Sequence, residues 1–187
     1  MLLGQHAISI EEYSIPLCME RYISLLQSND GSERTKAREA LIKIGKPVAP
    51  YIMALLTHPL NHIRWEACKT LERIREPKTA PLLAKRLMDD DMDVRWVAAD
   101  ALIELERYAI VPLLELIEEQ FDSPVLREAA HHVLHSLKEF HLLDKKSEEV
   151  LDALKVTELP SKAAFTADRA LDYFRSHKSV KHPSGIV

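Results

Sequence analysis

Glycine is scarce in this chain, with four in 187 residues. No glycine-rich loop of the kind that cradles phosphates is present, and no Gly-x-Ser-x-Gly elbow presents a nucleophilic serine. Cysteine is scarcer still: Cys18 and Cys68 stand far apart with no CxxC pairing. Both are expected to be small buried thiols in a reducing compartment. Aromatic residues make up only 6%. No apolar run approaches the roughly 18 residues that would suggest a membrane span, so no membrane partner is expected. A basic excess is also missing: 25 Lys and Arg stand against 29 Asp and Glu, a net charge of -4. Phosphate backbones normally call for the opposite balance, so nucleic acid is not expected as a partner. The opening MLLGQHAISIEEY has no basic region before its apolar residues and soon acquires carboxylates, which argues against a secretory leader. A cytoplasmic protein is the resulting expectation.

What the chain does contain is Ala, Leu, Ile, Glu, Lys and Arg, with hydrophobic residues at 47%. That composition favours helix over strand and suffices for a continuous core. It is also periodic. RWEACKTLERI begins at Arg64 and RWVAADALIEL at Arg95, an offset of 31 residues. Fainter copies begin at Arg34 and Arg127, spaced 30 and 32 from their neighbours. A second register, Pro50, Pro81 and Pro112, repeats at 31 and 31. A repeat of this length means a stacked array in which each unit buries its apolar face against the next.

One unit runs from about Pro77 to Leu105. Its first helix is predicted to start near Lys78 with Pro81 in the opening turn, where a missing N–H costs little. Leu82, Leu83 and Leu87 form its apolar stripe. The acidic run Asp89–Asp91 ends it, and Asp91 or Asp93 is placed to cap the next helix. The second helix spans roughly Met92 to Leu105. With Ala98 at the centre and about 100° per residue, Val94, Ala101, Leu102 and Leu105 share the buried face. The same arithmetic selects Ile63, Ala67, Leu71 and Ile74, then Ala37, Leu41 and Ile44, and finally Leu126, Ala130, Leu134 and Leu137. Arg34, Arg64, Arg95 and Arg127 lie at the edge of that face, beside loops carrying Asn29, Asp30, Asp93 and Asp122. A structural ladder is expected, each arginine pairing with a loop carboxylate or carbonyl.

The early proline, the acidic turn, and the arginine followed by Ala and Leu at three and seven residues resemble the HEAT repeat. The likeness is to the short HEAT-like form of about 30 residues first named from phycobilisome lyases, and it covers residues 15 to 138. It implies an all-α, right-handed α-α superhelix with helical end caps. The expected organisation is a single domain over 1–187: four repeats in 15–138, a helical cap in 144–176 and a mobile tail in 177–187. The cap is predicted as two helices near Ser147–Lys155 and Ser161–Ser176. Oligomeric state is not specified by anything in the pattern.

In such arrays the second helices commonly line the concave wall. Trp65 and Trp96 fall about 160° from the buried centre, in phase with each other. Neighbouring rows read Glu39, Lys69, Asp100, His132 and Ile42, Glu72, Ile103, His135. The two tryptophans are therefore expected side by side on the inner face. Tryptophan is enriched at binding hot spots, so a protein or peptide partner laid into this groove is the leading expectation, with no catalysis and no cofactor. Glu128, His132 and His135 lie at i, i+4 and i+7, a spacing that could hold a divalent metal. The alternative is therefore a phycobilin-lyase-like or metal-dependent enzyme or cofactor chaperone using the same groove. Deoxyhypusine hydroxylase, a HEAT-like metalloenzyme, carries iron on His-Glu pairs; this sequence has no His-Glu dipeptide. Cys68 beside the buried face has no general base in view and reads as a packed thiol.

Overall fold

Every regular element in the computed structural model, which describes residues 10–155 and 158–177, is helical. The helices are α1 (Ile10–Leu25), α2 (Gly31–Ile44), α3 (Ala49–Leu55), α4 (Asn61–Ile74), α5 (Ala80–Arg86), α6 (Met92–Glu104), α7 (Ile110–Glu119), α8 (Pro124–Glu139), α9 (Lys145–Ala153) and α10 (Pro160–His177). Short 3-10 turns at Lys46–Val48, Pro77–Thr79 and Glu106–Ala109 lead into α3, α5 and α7. No described helix is long and apolar enough to cross a membrane. The expectations of a leader-free N-terminus and a mobile tail fall on residues 1–9 and 178–187, outside the described residues.

The fold is an all-α solenoid. Helices pair as α3 with α4, α5 with α6 and α7 with α8, while α2, α4, α6 and α8 pack side by side in one layer. Pro81 sits in the first turn of α5, and Asp91 caps α6 by accepting from the backbone N–H groups of Asp93 and Val94. The buried face follows the helical arithmetic: Ile63, Ala67, Leu71, Ile74, Val94, Ala98, Ala101, Leu102, Leu105, Leu126, Ala130, Leu134 and Leu137 are all buried. Alanines at the centre of these faces let α4 and α6 approach closely, and this is the most extensive helix contact among the described residues. Toward the start of the array Ile44 is only partly covered. Cys18, expected to be buried, is exposed on α1. Cys68 is buried.

The layer order changes at the C-terminal end. α9 lies against α8, and α10 turns back to pack along both α9 and α7. Arg127 fastens this pair to the array. Its Nε donates to the carbonyl of Leu154 at 2.9 Å and its Nη2 to that of Glu158 at 2.7 Å, with Lys155 a further acceptor.

Helix stops recur with the period of the array. Gly45, Arg75 and Glu106 each follow a second helix and have φ of 79°, 52° and 55°. This left-handed turn suits glycine, and only the first copy has one. Glu106→Gly relieves Cβ strain but loosens the unfolded chain, and the balance predicts a gain of roughly 0.5 kcal/mol. Urea unfolding checks it; a loss would mean that the turn is not strained.

Candidate functional site

The arginine ladder is built, with loop carbonyls as the shared acceptors, but its carboxylate partners differ from the loop residues named for them. Arg34, Arg64 and Arg95 each donate through Nη1 to the carbonyl six residues upstream: Ser28 at 2.9 Å, His58 at 3.0 Å and Asp89 at 2.8 Å. The carboxylates that pair with Arg34 and Arg64 are not Asp30, Asp93 or Asp122 but residues of the following repeat. Arg64 grips buried Asp89 with two bonds, Nε to Oδ2 at 2.8 Å and Nη2 to Oδ1 at 2.6 Å, and also reaches Asp90. Arg34 bonds Glu66 through Nε at 3.1 Å, and Arg38 bonds the other oxygen of the same buried carboxylate. Burial pushes the Asp89 carboxyl up, but hydrogen bonds from Arg64 and from the backbone N–H of Asp91 outweigh it and hold the group below the usual aspartate range. Three of the four ladder arginines, Arg34, Arg64 and Arg127, thus tie their helix to the element that follows. Of the carboxylate acceptors, Asp89 and Asp90 were read only as the acidic run that ends the preceding helix, and Glu66 was not singled out.

The two tryptophans occupy different surroundings. Trp65 is half-buried against the core, with the Arg38 guanidinium 5.5 Å from its ring centroid. Trp96 is 54% exposed and stands edge-on to His132 of α8, centroids 5.1 Å apart. They also line separate hollows. Trp65 borders a small polar one, about 240 Å³, with Arg34, His62, Glu66 and Asp91. Trp96 borders a larger cleft of about 560 Å³ between α6 and α8, shared with Met92, Arg95, Val125, Ala129 and the imidazoles of His131, His132 and His135. The larger cleft is the more apolar, and sequence reasoning placed Trp96, Glu128, His132 and His135 there but not Met92, Arg95 or Val125. Period alone could not find them, because they lie on the flanks of the helices rather than in the outward rows.

Between the hollows runs the charged row. Lys69 bonds Glu72 at 2.7 Å, and Asp100 lies within the electrostatic reach of both and of His132. Glu39 is exposed; Ile42 and Ile103 are half-buried, Ile103 packing against the core. Desolvation by its neighbours, with Glu72 alongside, pushes the Asp100 carboxyl above the ordinary aspartate range. Ionising Asp100 is therefore harder in the fold than in the unfolded chain. Asp100→Asn is expected to raise stability at neutral pH. The advantage should vanish as pH falls below the unfolded aspartate value of about 3.9, where both states are protonated. Thermal midpoints at pH 7 and pH 3 check this; a mutant less stable at pH 7 would contradict it.

His135 stacks on His131, ring centroids 5.9 Å apart, while His132 turns its ring to Trp96. Among the described residues no three His, Cys, Asp or Glu side chains converge as metal ligands, Glu128, His132 and His135 included. Burial pulls the His131 imidazole below its usual value, with His135 adding to the effect. Burial also pushes the Cys68 thiol up to about 12, which keeps it protonated and inert at neutral pH.

Residues 19–103 match a family model described as HEAT repeats. Among solved structures, the complex of CpcE and CpcF of phycocyanin lyase from Nostoc sp. PCC7120 aligns with a TM-score of 0.50 and 20% identity, over 95% of this chain and 69% of that one. An engineered protein aligns with a TM-score of 0.44 and 19% identity, over 81% of this chain and 77% of that one. Identity at this level speaks to fold alone. No curated protein matches the chain.

Proposed function

We propose, with the HEAT repeats of residues 19–103 as premise, that this chain is a non-catalytic binding module whose second helices grip an extended or helical segment of a protein partner. HEAT repeats commonly mediate protein interactions. The observation that carries the reading is Trp96: a half-exposed indole, edge-on to His132, at the edge of a cleft of about 560 Å³ that also offers Met92 and Val125. Exposed tryptophan beside an open apolar hollow is the combination that hot spots favour. Trp65, Lys69, Glu72, Asp100, Ile103, Glu39 and Ile42 would extend the contact along the row and set its register. No nucleic acid is expected there, since Glu39, Glu72 and Asp100 oppose a phosphate backbone.

The phycobilin-lyase-like or metal-dependent alternative rests on likeness of fold alone. Structural likeness at 20% identity does not transfer a chromophore, and the three candidate ligands do not converge. Selection of displayed random peptides on the immobilised protein tests the binding reading. Enriched segments should compete with one another and be lost on Trp96→Ala. Enrichment that survives the substitution would place recognition elsewhere.

A further inference from the structure

The arginine ladder has one incomplete rung, and it opens into the cleft beside Trp96. In the rung at Arg64, Nη1 holds the loop carbonyls while the Nε–Nη2 edge grips the Asp89 carboxylate. Arg95 repeats the first half: its Nη1 bonds the carbonyls of Asp89 and Asp90. The second half is missing. Among the described residues, neither Nε nor Nη2 of Arg95 has a hydrogen-bond partner, and no carboxylate lies within ion-pair distance of it.

The array shows why. The carboxylate for a rung comes from the following repeat, by one of two positions. Asp89 lies six residues before the next ladder arginine, and Glu66 lies two after it. In the repeat that follows Arg95, those two positions are Phe121 and Ala129. Asp122 stands where Asp90 does in the preceding rung, yet forms no ion pair with Arg95. Ala129 is itself part of the cleft wall. Arg95 is half-buried, so its free edge is a partly desolvated guanidinium fork, the geometry that recognises a carboxylate through two parallel bonds. The rest of the lining agrees. His131, His132 and His135 line the same cleft, and Glu128 is the sole carboxylate among the cleft residues. The imidazoles add ring N–H donors that suit an anionic group beside the fork.

We infer that the partner completes the rung. The cleft between α6 and α8 takes an acidic peptide segment, in which an Asp or Glu carboxylate pairs with Nε and Nη2 of Arg95 while a neighbouring aliphatic or aromatic residue packs against Met92, Trp96 and Val125. This rests on the binding reading above and gives its partner a chemistry.

The test uses the full chain and synthetic capped peptides taken from the displayed segments that it enriches. Those segments should pair an acidic residue with an apolar one. Changing the peptide's acid to its amide should weaken binding about tenfold or more, the loss expected for a charge-assisted pair. Arg95→Gln should remove the distinction between acid and amide. Because Arg95 also ties down a loop, Ala129→Glu gives a second route. It supplies the missing carboxylate from the position Glu66 uses, so it should displace the peptide's acid and abolish the distinction while leaving the fold intact. Ala129→Gln should preserve it. Peptides that need Trp96 but bind equally as acid and amide would overturn the inference and leave the binding module standing. No Trp96-dependent enrichment at all would remove both.

Discussion

Asp89→Ala is expected to lower the stability of this protein by about 3–5 kcal/mol, the cost of leaving a buried charge without its partner. The Arg64 side chain is only 7% exposed and that of Asp89 only 1%, so water cannot take over the lost interaction. Asp89 also accepts from Arg86 at 3.0 Å and from the backbone N–H of Asp91 at 3.1 Å. One substitution thus loosens α4, the end of α5 and the turn into α6. Exposed Asp90, which also pairs with Arg64, offsets part of the loss. Replacing both ends of the pair with apolar residues, as in Arg64→Met with Asp89→Leu, should cost far less than the single change. Acid should act in the same direction as the mutation. The folded-state pKa of Asp89 lies below its unfolded value. Its contribution is therefore complete above the ordinary aspartate range and is lost as pH falls through the lower, folded-state value. Guanidinium unfolding at neutral pH reads the effect; a loss under about 1 kcal/mol would mean that the pair behaves as an exposed one.

Trp96→Ala should weaken capture of a groove-binding peptide by about 2 kcal/mol or more, roughly thirtyfold, with little change in thermal stability. Most of the indole is outside the core, and its main aromatic neighbour is His132. Trp65→Ala should do the reverse. Its ring lies between the core and Arg38, and Arg38 helps hold buried Glu66. Truncation there should destabilise the chain by about 1–3 kcal/mol, with a smaller effect on the peptide. Measuring both variants by calorimetry and thermal unfolding separates recognition from packing at two positions that the repeat makes look equivalent. Equal losses of binding from both would restore a single continuous tryptophan patch.

That contrast marks what the sequence could express. Helical phase states which way a side chain leaves its helix, so the buried faces centred on Ala67, Ala98 and Ala130 were readable residue by residue. So was the capping role of Asp91. Phase does not state what a long side chain leans on. Trp65 and Trp96 share an angle, yet one is covered by Arg38 and the other is left open. The ladder divides along the same line. Its arginines recur every 30 to 32 residues and announce themselves. Their acceptors do not recur: the position of Asp89 holds Ser28, His58 and Phe121 in the other repeats, and that of Glu66 holds Lys36, Val97 and Ala129. A pattern built on repetition averages such residues away. The left-handed stops at Arg75 and Glu106 were hidden for a related reason, since only Gly45 carries the residue that normally signals one.

The central claim is that recognition occurs on the second helices, at the cleft between α6 and α8. Amide and side-chain chemical-shift mapping with an enriched acidic peptide tests it most directly. The account predicts the largest shifts at the Trp96 indole N–H, the Arg95 Nε–H and the backbone of Val125 to His135. Shifts centred instead on α3, α5 and α7, with those signals unmoved, would contradict it.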